Sequence, residues 1–263
     1  MQTASIALAL DYDKVEREIT EFIRKIVRES KANGVVVGLS GGIDSSVVAT
    51  LCVKALGNDR VLGILMPASH TPKADVDDAR QLATSLGIKT YEVSIDNVFK
   101  SFIESMPIAG SKIAEANVKA RARMMICYFF ANSFNMLVAG TGDRSEDLIG
   151  YFTKYGDGGV DFLPIAHLYK TQVRALGAHL GLPERIVTKP SSPQLWPGHL
   201  ATDEIPVGYE KLDLVLHLLF DLKVPVDVIT KEAGVDASVV RKVLDMYEGS
   251  KHKRSYPYMV RTW

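Results

Sequence analysis

The chain has 263 residues, a length that allows one large or two small domains with a substantial buried core. Its 31 lysines and arginines balance 31 aspartates and glutamates, so the formal net charge at pH 7 is zero. Proteins that capture nucleic acid usually carry a basic excess, so this balance argues against a nucleic-acid partner.

The start of the chain predicts neither a secretion signal nor a membrane span. Residues 1–10 are apolar but lack the basic start and cleavage-type sequel of a leader, and Asp11 and Asp13 follow directly. The two cysteines, Cys52 and Cys127, fall inside predicted helices and form no CxxC pair. This usage is typical of buried thiols in a reducing compartment, so we expect a cytoplasmic protein with no membrane partner.

Strands and helices are predicted to alternate along the first half of the chain. Apolar residues at helical spacing predict a helix over 12–30, and the run 35–37, valines between two glycines, predicts a buried strand. Further elements are expected in this order: a helix over 47–56, a strand over 60–66, a helix over 75–86 that ends at Gly87, a strand over 89–94, a helix over 114–134 and a strand over 136–140. This alternation predicts an α/β fold, a doubly wound parallel sheet with flanking helices.

The second half is predicted to contain long loops and a helical end. A glycine-rich loop is expected over 151–162, and a helix over 171–180. Residues 189–206 hold four prolines and a glycine, and a stretch of that length without regular structure is usually disordered or a moving lid. Residues 209–247 are predicted to be helical with a break at Pro225. We expect a single domain over 1–263, with 207–250 as a small helical C-terminal subregion.

The most informative stretch is the turn after the first strand. It reads SGGIDSS from Ser40 to Ser46 and leads into a helix. Glycines let the backbone approach an anion closely, and the N–H groups and dipole at a helix start favour negative charge. The turn has neither the GxxxxGK[ST] pattern of a Walker A loop nor the GxGxxG dinucleotide fingerprint. We therefore expect an anion site of another kind, the alternative being a structural strand–helix turn with Asp44 and Ser45 as ordinary caps. Asp44 beside an anion would imply an intervening cation such as Mg²⁺.

Polar residues also follow the fourth predicted strand. Thr141, Asp143 and Glu146 come directly after it. If the sheet is parallel, these residues share an edge with the glycine turn, because ligands bind at the carboxyl ends of such strands. Five histidines show no metal-ligand spacing and are expected to be ordinary: His70, His167, His179, His199 and His217.

Four stretches in chain order resemble ammonia-dependent NAD synthetase, a family of N-type ATP pyrophosphatases with an SGGxDS pyrophosphate loop. They are GLSGGIDSS (38–46), NVKARARM (117–124), GTGDRSED with YFTKYGDGGVD (140–161) and HKR (252–254). The resemblance covers nearly the whole chain and implies an adenine nucleotide alpha hydrolase-like fold. The chain departs from the family at Asp143, where histidine is frequent.

The resemblance implies a ligase that amidates deamido-NAD with ammonia. ATP would activate the nicotinate carboxylate as an acyl-adenylate, and the products would be NAD, AMP and pyrophosphate, in the last step of NAD biosynthesis. Mg²⁺ would be the cofactor and a homodimer the assembly. The sequence shows no cluster of catalytic serine, cysteine and histidine, which agrees with catalysis by metal ions and positioned donors.

The resemblance also implies roles for individual residues. The ATP-binding residues would be Gly38, Leu39, Ser40, Gly41, Gly42, Ile43, Asp44, Ser45, Thr141, Lys170 and Ser192. The deamido-NAD-binding residues would be Arg121, Lys154, Asp161, His252 and Lys253. The Mg²⁺ ligands would be Asp44 and Glu146.

Two other readings of the glycine turn stay open. Another pyrophosphate-loop adenylating enzyme, such as a GMP synthetase or a tRNA-thiolating ligase, would share it. The first is expected with a glutaminase domain, and the second with paired cysteines and a basic surface, which this sequence lacks. A non-catalytic nucleotide-binding protein would need no second acidic metal ligand, so Glu146 separates it from an enzyme.

Overall fold

The computed structural model describes residues 8–260 and places a four-stranded parallel sheet at the centre of that range. The strands are β1 (Gly34–Leu39), β2 (Val61–Leu65), β3 (Lys89–Glu92) and β4 (Met136–Ala139), in the spatial order β3-β2-β1-β4. All three neighbouring pairs are parallel, which confirms the predicted sheet and brings the carboxyl ends of its strands to one edge. Residues 1–7, where no leader is predicted, lie outside the described range.

Helices flank the sheet and form the C-terminal part. They are α1 (Tyr12–Glu29), α2 (Ile43–Leu56), α3 (Lys73–Leu86), α4 (Asp96–Glu104), α5 (Lys112–Phe134), α6 (Arg144–Ile149), α7 (Lys170–His179), α8 (Glu184–Val187), α9 (Tyr209–Leu216), α10 (Val226–Ala233) and α11 (Ala237–Gly249). A π turn over His217–Asp221 extends α9. No helix within residues 8–260 is long and apolar enough to cross a membrane.

Both faces of the sheet are covered because side chains alternate along β1. Val35 and Val37 pack into a core with α1, α2 and α7, whereas Val36 packs on the opposite face against Cys127 of α5. This arrangement confirms the doubly wound fold. Cys127 and Cys52 are both buried and free.

Several element boundaries differ from the predicted ones. The helix after the glycine turn begins at Ile43 instead of residue 47, because the hydroxyls of Ser45 and Ser46 donate to the Gly42 carbonyl at 3.2 and 2.7 Å and stabilise the first turn. Asp44 is therefore a helical residue. Helices α4, α6 and α8 were not predicted, since nine, six and four residues are too few to show a periodicity.

A second hydrophobic cluster lies among the C-terminal helices. Leu212 of α9 is buried there with Ile229 of α10 and Val240 of α11. The predicted helical stretch is interrupted at Pro225, as expected, and also at Gly234, which ends α10 in a left-handed conformation with φ of 59°. Residues of α6 and the start of α7 join this cluster, so the second core supports the edge of the sheet where β4 ends.

Candidate active site

The carboxyl edge of the sheet borders a cavity of about 710 Å³. Its walls are the glycine turn, the ends of β2 and β4, one face of α5, the glycine-rich loop 151–162 and the proline-rich segment 189–206. This cavity therefore lies where a doubly wound fold places its ligands.

The glycine turn packs tightly against the start of α3. Gly41 has φ of 76°, and a Cβ atom there would lie 2.1 Å from the Asp75 carbonyl oxygen at the start of α3. The Ser40 and Ser45 hydroxyls lie 3.0 Å apart and hydrogen-bond to each other, and the Gly42 N–H donates to Ser40 Oγ at 3.3 Å. Only glycine fits at position 41, and the turn presents preformed donors to the cavity.

Beside the turn, three carboxylates surround one lysine. Lys170 Nζ lies 2.7 Å from Asp44 Oδ2, 2.9 Å from Asp143 Oδ2 and 2.9 Å from Glu146 Oε1. Helix α2 supplies Asp44, the start of α6 supplies Asp143 and Glu146, and the first residue of α7 supplies Lys170. The lysine and Asp143 side chains are fully buried, whereas those of Asp44 and Glu146 are each 22% exposed and line the cavity.

Burial and charge act against each other in this carboxylate–lysine cluster. Burial alone would lower the pKa of Lys170, but Asp143, Asp44 and Glu146 outweigh it and raise that pKa well above its usual value. Burial, together with the other two carboxylates, raises the pKa of Glu146 well above its usual value despite the opposing effect of Lys170. When all four groups are ionised their formal charge is minus two, so the cluster favours an additional cation.

The cluster offers two ligands for such a cation but not a complete cage. Asp44 Oδ1 is buried without a hydrogen-bond partner, so it has a free lone pair for a metal ion. No three His, Cys, Asp or Glu side chains among residues 8–260 are arranged to hold a metal by themselves. Mg²⁺ is commonly bound through one or two carboxylates, with phosphates and water completing its shell. Asp44 and Glu146 match that requirement.

The second hydrophobic core positions the cluster through one buried carboxylate. Asp213 of α9 accepts hydrogen bonds from Ser145 Oγ at 2.6 Å and from the Thr171 N–H at 2.8 Å. Ser145 Oγ also accepts from the Lys170 N–H at 2.9 Å. Burial raises the pKa of Asp213 to about 7, although these hydrogen bonds oppose the shift. Helix α9 thus holds α6 and α7 in register, and with them Glu146 and Lys170.

Most residues predicted to bind ATP meet at this cavity. It is lined by Gly38, Leu39, Ser40, Gly42, Ile43, Asp44, Ser45, Thr141 and Ser192. Gly41 lies behind it against α3, and Lys170 lies beneath Asp44 and Glu146, with its side chain fully buried. Ser192 comes from the proline-rich segment, where its hydroxyl donates to the His199 carbonyl.

The residues predicted to bind deamido-NAD are more dispersed. Lys253 lines the cavity. Arg121 donates to the Lys154 carbonyl at 3.2 Å, and Lys154 Nζ donates to the His252 carbonyl at 2.8 Å, so these three residues adjoin one another at the surface. The two carboxylate oxygens of Asp161 accept hydrogen bonds from a tyrosine hydroxyl of α5 and from a backbone N–H of β4.

Sequence reasoning missed several residues of the cavity wall. Lys189 Nζ donates to the Gly41 carbonyl at 2.9 Å and to Asp75 at 2.7 Å, which ties the proline-rich segment to the glycine turn and α3. His199, predicted to be ordinary, lines the cavity and its side chain is fully buried. Its Nε2 atom lies 2.9 Å from Glu204 Oε2. The partners of Lys189 are more than 100 residues away in the chain, so no local pattern marks it.

The proline-rich segment rests on other parts of the cavity wall. Lys119 Nζ of α5 donates to the Leu195 carbonyl at 2.8 Å, and His70 Nε2 lies 3.0 Å from the Gln194 carbonyl oxygen. Apart from a 3₁₀ turn over Ala201–Asp203 it has no regular structure. The segment is thus placed as a lid would be, and its movement stays a prediction.

A family model and a curated relative are similar to nearly the whole chain. A family model described as NAD synthase matches residues 15–257. An NH₃-dependent NAD⁺ synthetase of Staphylothermus marinus is 50% identical over 251 residues, which cover 94% of this chain and 91% of that protein.

Solved structures are similar over nearly the whole chain. An NMN synthetase from Francisella tularensis has a TM-score of 0.86 and 31% identity, and the match covers 97% of this chain and 100% of that one. An NH₃-dependent NAD synthetase from Campylobacter jejuni has a TM-score of 0.81 and 31% identity, and covers 96% and 100% of the two chains. The family model, the sequence identity and the shared fold agree, and the chain belongs to the NAD synthase family.

Proposed function

We propose that the protein amidates deamido-NAD with ammonia at the expense of ATP, and releases NAD, AMP and pyrophosphate. It is a ligase that forms a C–N bond. The observation that carries this function is the meeting of a glycine turn and an acidic cluster at one edge of the sheet. The relatives named NH₃-dependent support ammonia as the nitrogen donor.

The reaction brings an anionic carboxylate to an anionic triphosphate. The backbone N–H groups and hydroxyls of the glycine turn are proposed to hold the phosphates that leave as pyrophosphate, because they already face the cavity at a helix start. Thr141 and Ser192 line the same cavity and are proposed to contact ATP. Lys170, whose ammonium touches Asp44 and Glu146, is assigned to the phosphate end of the site.

Mg²⁺ is the proposed cofactor, held by Asp44 and Glu146. The free oxygen of Asp44 and the negative charge of the cluster support this assignment. When bound, the ion would neutralise phosphate charge and polarise the reacting phosphoryl group.

The remaining site residues are proposed to bind deamido-NAD: Arg121, Lys154, Asp161, His252 and Lys253. Arg121 and the two lysines are suited to its phosphates, and Asp161 to a ribose diol. Helix α5, which carries Arg121, also exposes large apolar side chains, including Ile113 at 67% and Phe129 at 68%. These exposed apolar side chains support a homodimer with deamido-NAD bound near its interface. Light scattering that finds only monomers would contradict the homodimer.

Two further assignments rest on the same arguments. The buried, free cysteines support a cytoplasmic location. We also propose that 1–263 acts as a single catalytic domain in which 207–250 forms a helical subregion.

One incubation tests the reaction. The protein, ATP, Mg²⁺, deamido-NAD and ammonium are expected to yield NAD, AMP and pyrophosphate in equal amounts. ADP with phosphate, or no turnover, would contradict the proposal. Omitting deamido-NAD controls for simple ATP hydrolysis.

A second substrate is favoured by one observation. Of the two structures compared, the one with the higher TM-score, 0.86 against 0.81, is an NMN synthetase. Nicotinic acid mononucleotide is therefore the alternative to deamido-NAD as the substrate that is amidated. Measuring kcat/KM for deamido-NAD and for nicotinic acid mononucleotide under the same conditions decides between them, and the larger value identifies the preferred acceptor.

A further inference from the structure

Arg123 lines the cavity from the middle of α5 without an acidic partner. Its Nε donates to the Met66 carbonyl at 3.2 Å, just beyond the carboxyl end of β2. No carboxylate among residues 8–260 forms an ion pair with it. Two other arginines that hold elements together do have such partners: Arg144 pairs with Asp221, and Arg185 pairs with Asp78 at 2.7 Å.

Arg123 is half-buried in the cavity wall. A cation partly withdrawn from water without a counter-charge is costly, so its position calls for a reason. Burial lowers the pKa of Arg123, and the more distant Asp157 and Asp96 oppose this only in part. A buried charge is normally paired, and groups that break this rule concentrate at functional sites. An anion entering the cavity would supply the missing partner.

The position of Arg123 indicates which anion this is. A Cβ atom on Gly38 of β1 would lie 3.2 Å from the Met66 side chain, so Met66, whose carbonyl binds Arg123, packs against the strand that leads into the glycine turn. The turn and α2 lie on one side of the strand ends, and Arg123 on α5 lies on the other. A nucleotide whose terminal phosphates occupy the turn would therefore run across the strand ends toward Arg123.

We propose that Arg123 binds a nucleotide phosphate in this cavity, on the side away from the glycine turn. The inference rests on the proposed function and adds a residue to its site. The planar guanidinium matches a phosphate through parallel hydrogen bonds. The phosphate is either the one that stays with adenosine when pyrophosphate leaves, or one from the diphosphate of deamido-NAD. In either case, a cation there reduces the repulsion that meets an incoming carboxylate.

Equilibrium binding tests the proposal without requiring turnover. Calorimetric titrations with AMP, adenosine and deamido-NAD would be made on the wild type, Arg123→Met, Arg123→Lys and the control Arg241→Met. Arg241 is exposed on α11, so its variant matches the loss of charge outside the cavity. Arg123→Met is expected to weaken AMP binding about 10- to 100-fold, the size of a charge-assisted hydrogen bond, and to leave adenosine binding unchanged. Arg123→Lys should recover part of the loss.

The ligand pattern separates the outcomes. Weaker deamido-NAD binding with normal AMP binding would support the proposal and assign the phosphate to the second substrate. Unchanged binding of both phosphate ligands would overturn it, and so would an equal loss for adenosine, since that indicates a structural role. A thermal melt checks folding, and Arg123→Gln replaces the methionine variant if the latter unfolds early. Failure of the wild type to make NAD would contradict the proposed function, whereas the titrations report on Arg123 alone.

Discussion

The glycine turn and the carboxylate–lysine cluster meet at Asp44, but they are built in opposite ways. The turn is a continuous stretch, and it presents backbone N–H groups and the hydroxyls of Ser40 and Ser45 to the cavity. The cluster assembles charged side chains from α2, α6 and α7, and Lys170 lies 126 residues from Asp44 in the chain. One half of the site is neutral and local, and the other is charged and formed by tertiary packing.

This difference indicates which kind of substitution should disrupt each half of the site. The turn depends on one backbone conformation and on the absence of a Cβ atom at Gly41. The cluster depends on charge balance in a buried place and on Asp213, which joins the second core to the starts of α6 and α7. Changes of charge should therefore disturb the cluster, and changes of shape should disturb the turn.

The largest effect is expected for Lys170→Met. It leaves three carboxylates close together without their cation, and removal of one partner from a buried ion pair costs about 3–5 kcal/mol. Urea unfolding at pH 7 measures the loss. Lys54→Met is the control, because Lys54 pairs with Glu16 at 2.7 Å on the surface and its removal should cost at most about 1 kcal/mol. Equal losses would show that the cluster is not a buried network.

A shape change in the turn should come next. Gly41 and Gly181 have nearly the same φ, 76° and 75°, but a Cβ atom at Gly181 would meet nothing within 4 Å, so Gly181→Ala is the matched control for Gly41→Ala. The left-handed conformation costs about 1 kcal/mol in both variants. Overlap with the Asp75 carbonyl should bring Gly41→Ala to about 3 kcal/mol and weaken ATP binding. Thermal melts and ATP titrations measure both effects, and indistinguishable variants would contradict the close packing of the turn.

Replacing the carboxylates of Glu146 and Asp44 by amides of the same shape tests the part of the cluster that lines the cavity. Glu146→Gln is expected to lower kcat about 100-fold at saturating Mg²⁺, because a proposed ligand of the ion that stabilises phosphate charge is lost. The protein should stay folded, and Asp44→Asn should behave similarly. Glu248→Gln, at an exposed position of α11, is the matched control. A normal rate for Glu146→Gln would remove it from the metal site.

The smallest effect concerns the support from the second core. The pKa of Asp213 is raised to about 7, so the folded state holds this proton more tightly than the unfolded state does. Protonated Asp213 therefore contributes to the free energy of unfolding. This contribution is full below about pH 4, the pKa of the group in the unfolded state, and is lost as the pH rises through about 7. Between pH 6 and 8 the free energy of unfolding of the wild type should therefore fall by about 1.4 kcal/mol more than that of Asp213→Asn.

Urea unfolding at both pH values measures this difference. Asp245→Asn, at an exposed position of α11, should keep the pH dependence of the wild type. If the free energies of unfolding of Asp213→Asn and the wild type change equally between pH 6 and 8, protonation of Asp213 does not stabilise the protein in this range.

Much of the framework could be predicted from the sequence by itself. The valine run of β1, its alternation with helices and the SGGIDSS turn determined a parallel sheet with an anion site at its edge. They could do so because hydrophobic periodicity and glycine chemistry are properties of neighbouring residues. Thr141 and Glu146 were placed at the same edge by the parallel pairing alone.

Only the tertiary structure decided which charges meet. Lys170, predicted to reach ATP phosphates, is enclosed by Asp44, Asp143 and Glu146, and Asp213 orients it from a separate core. Arg123 differs from its surface neighbours only because the end of β2 and the cavity wall enclose it. Electrostatic energy depends on distance and burial in space, and neither is written in the spacing of residues along the chain.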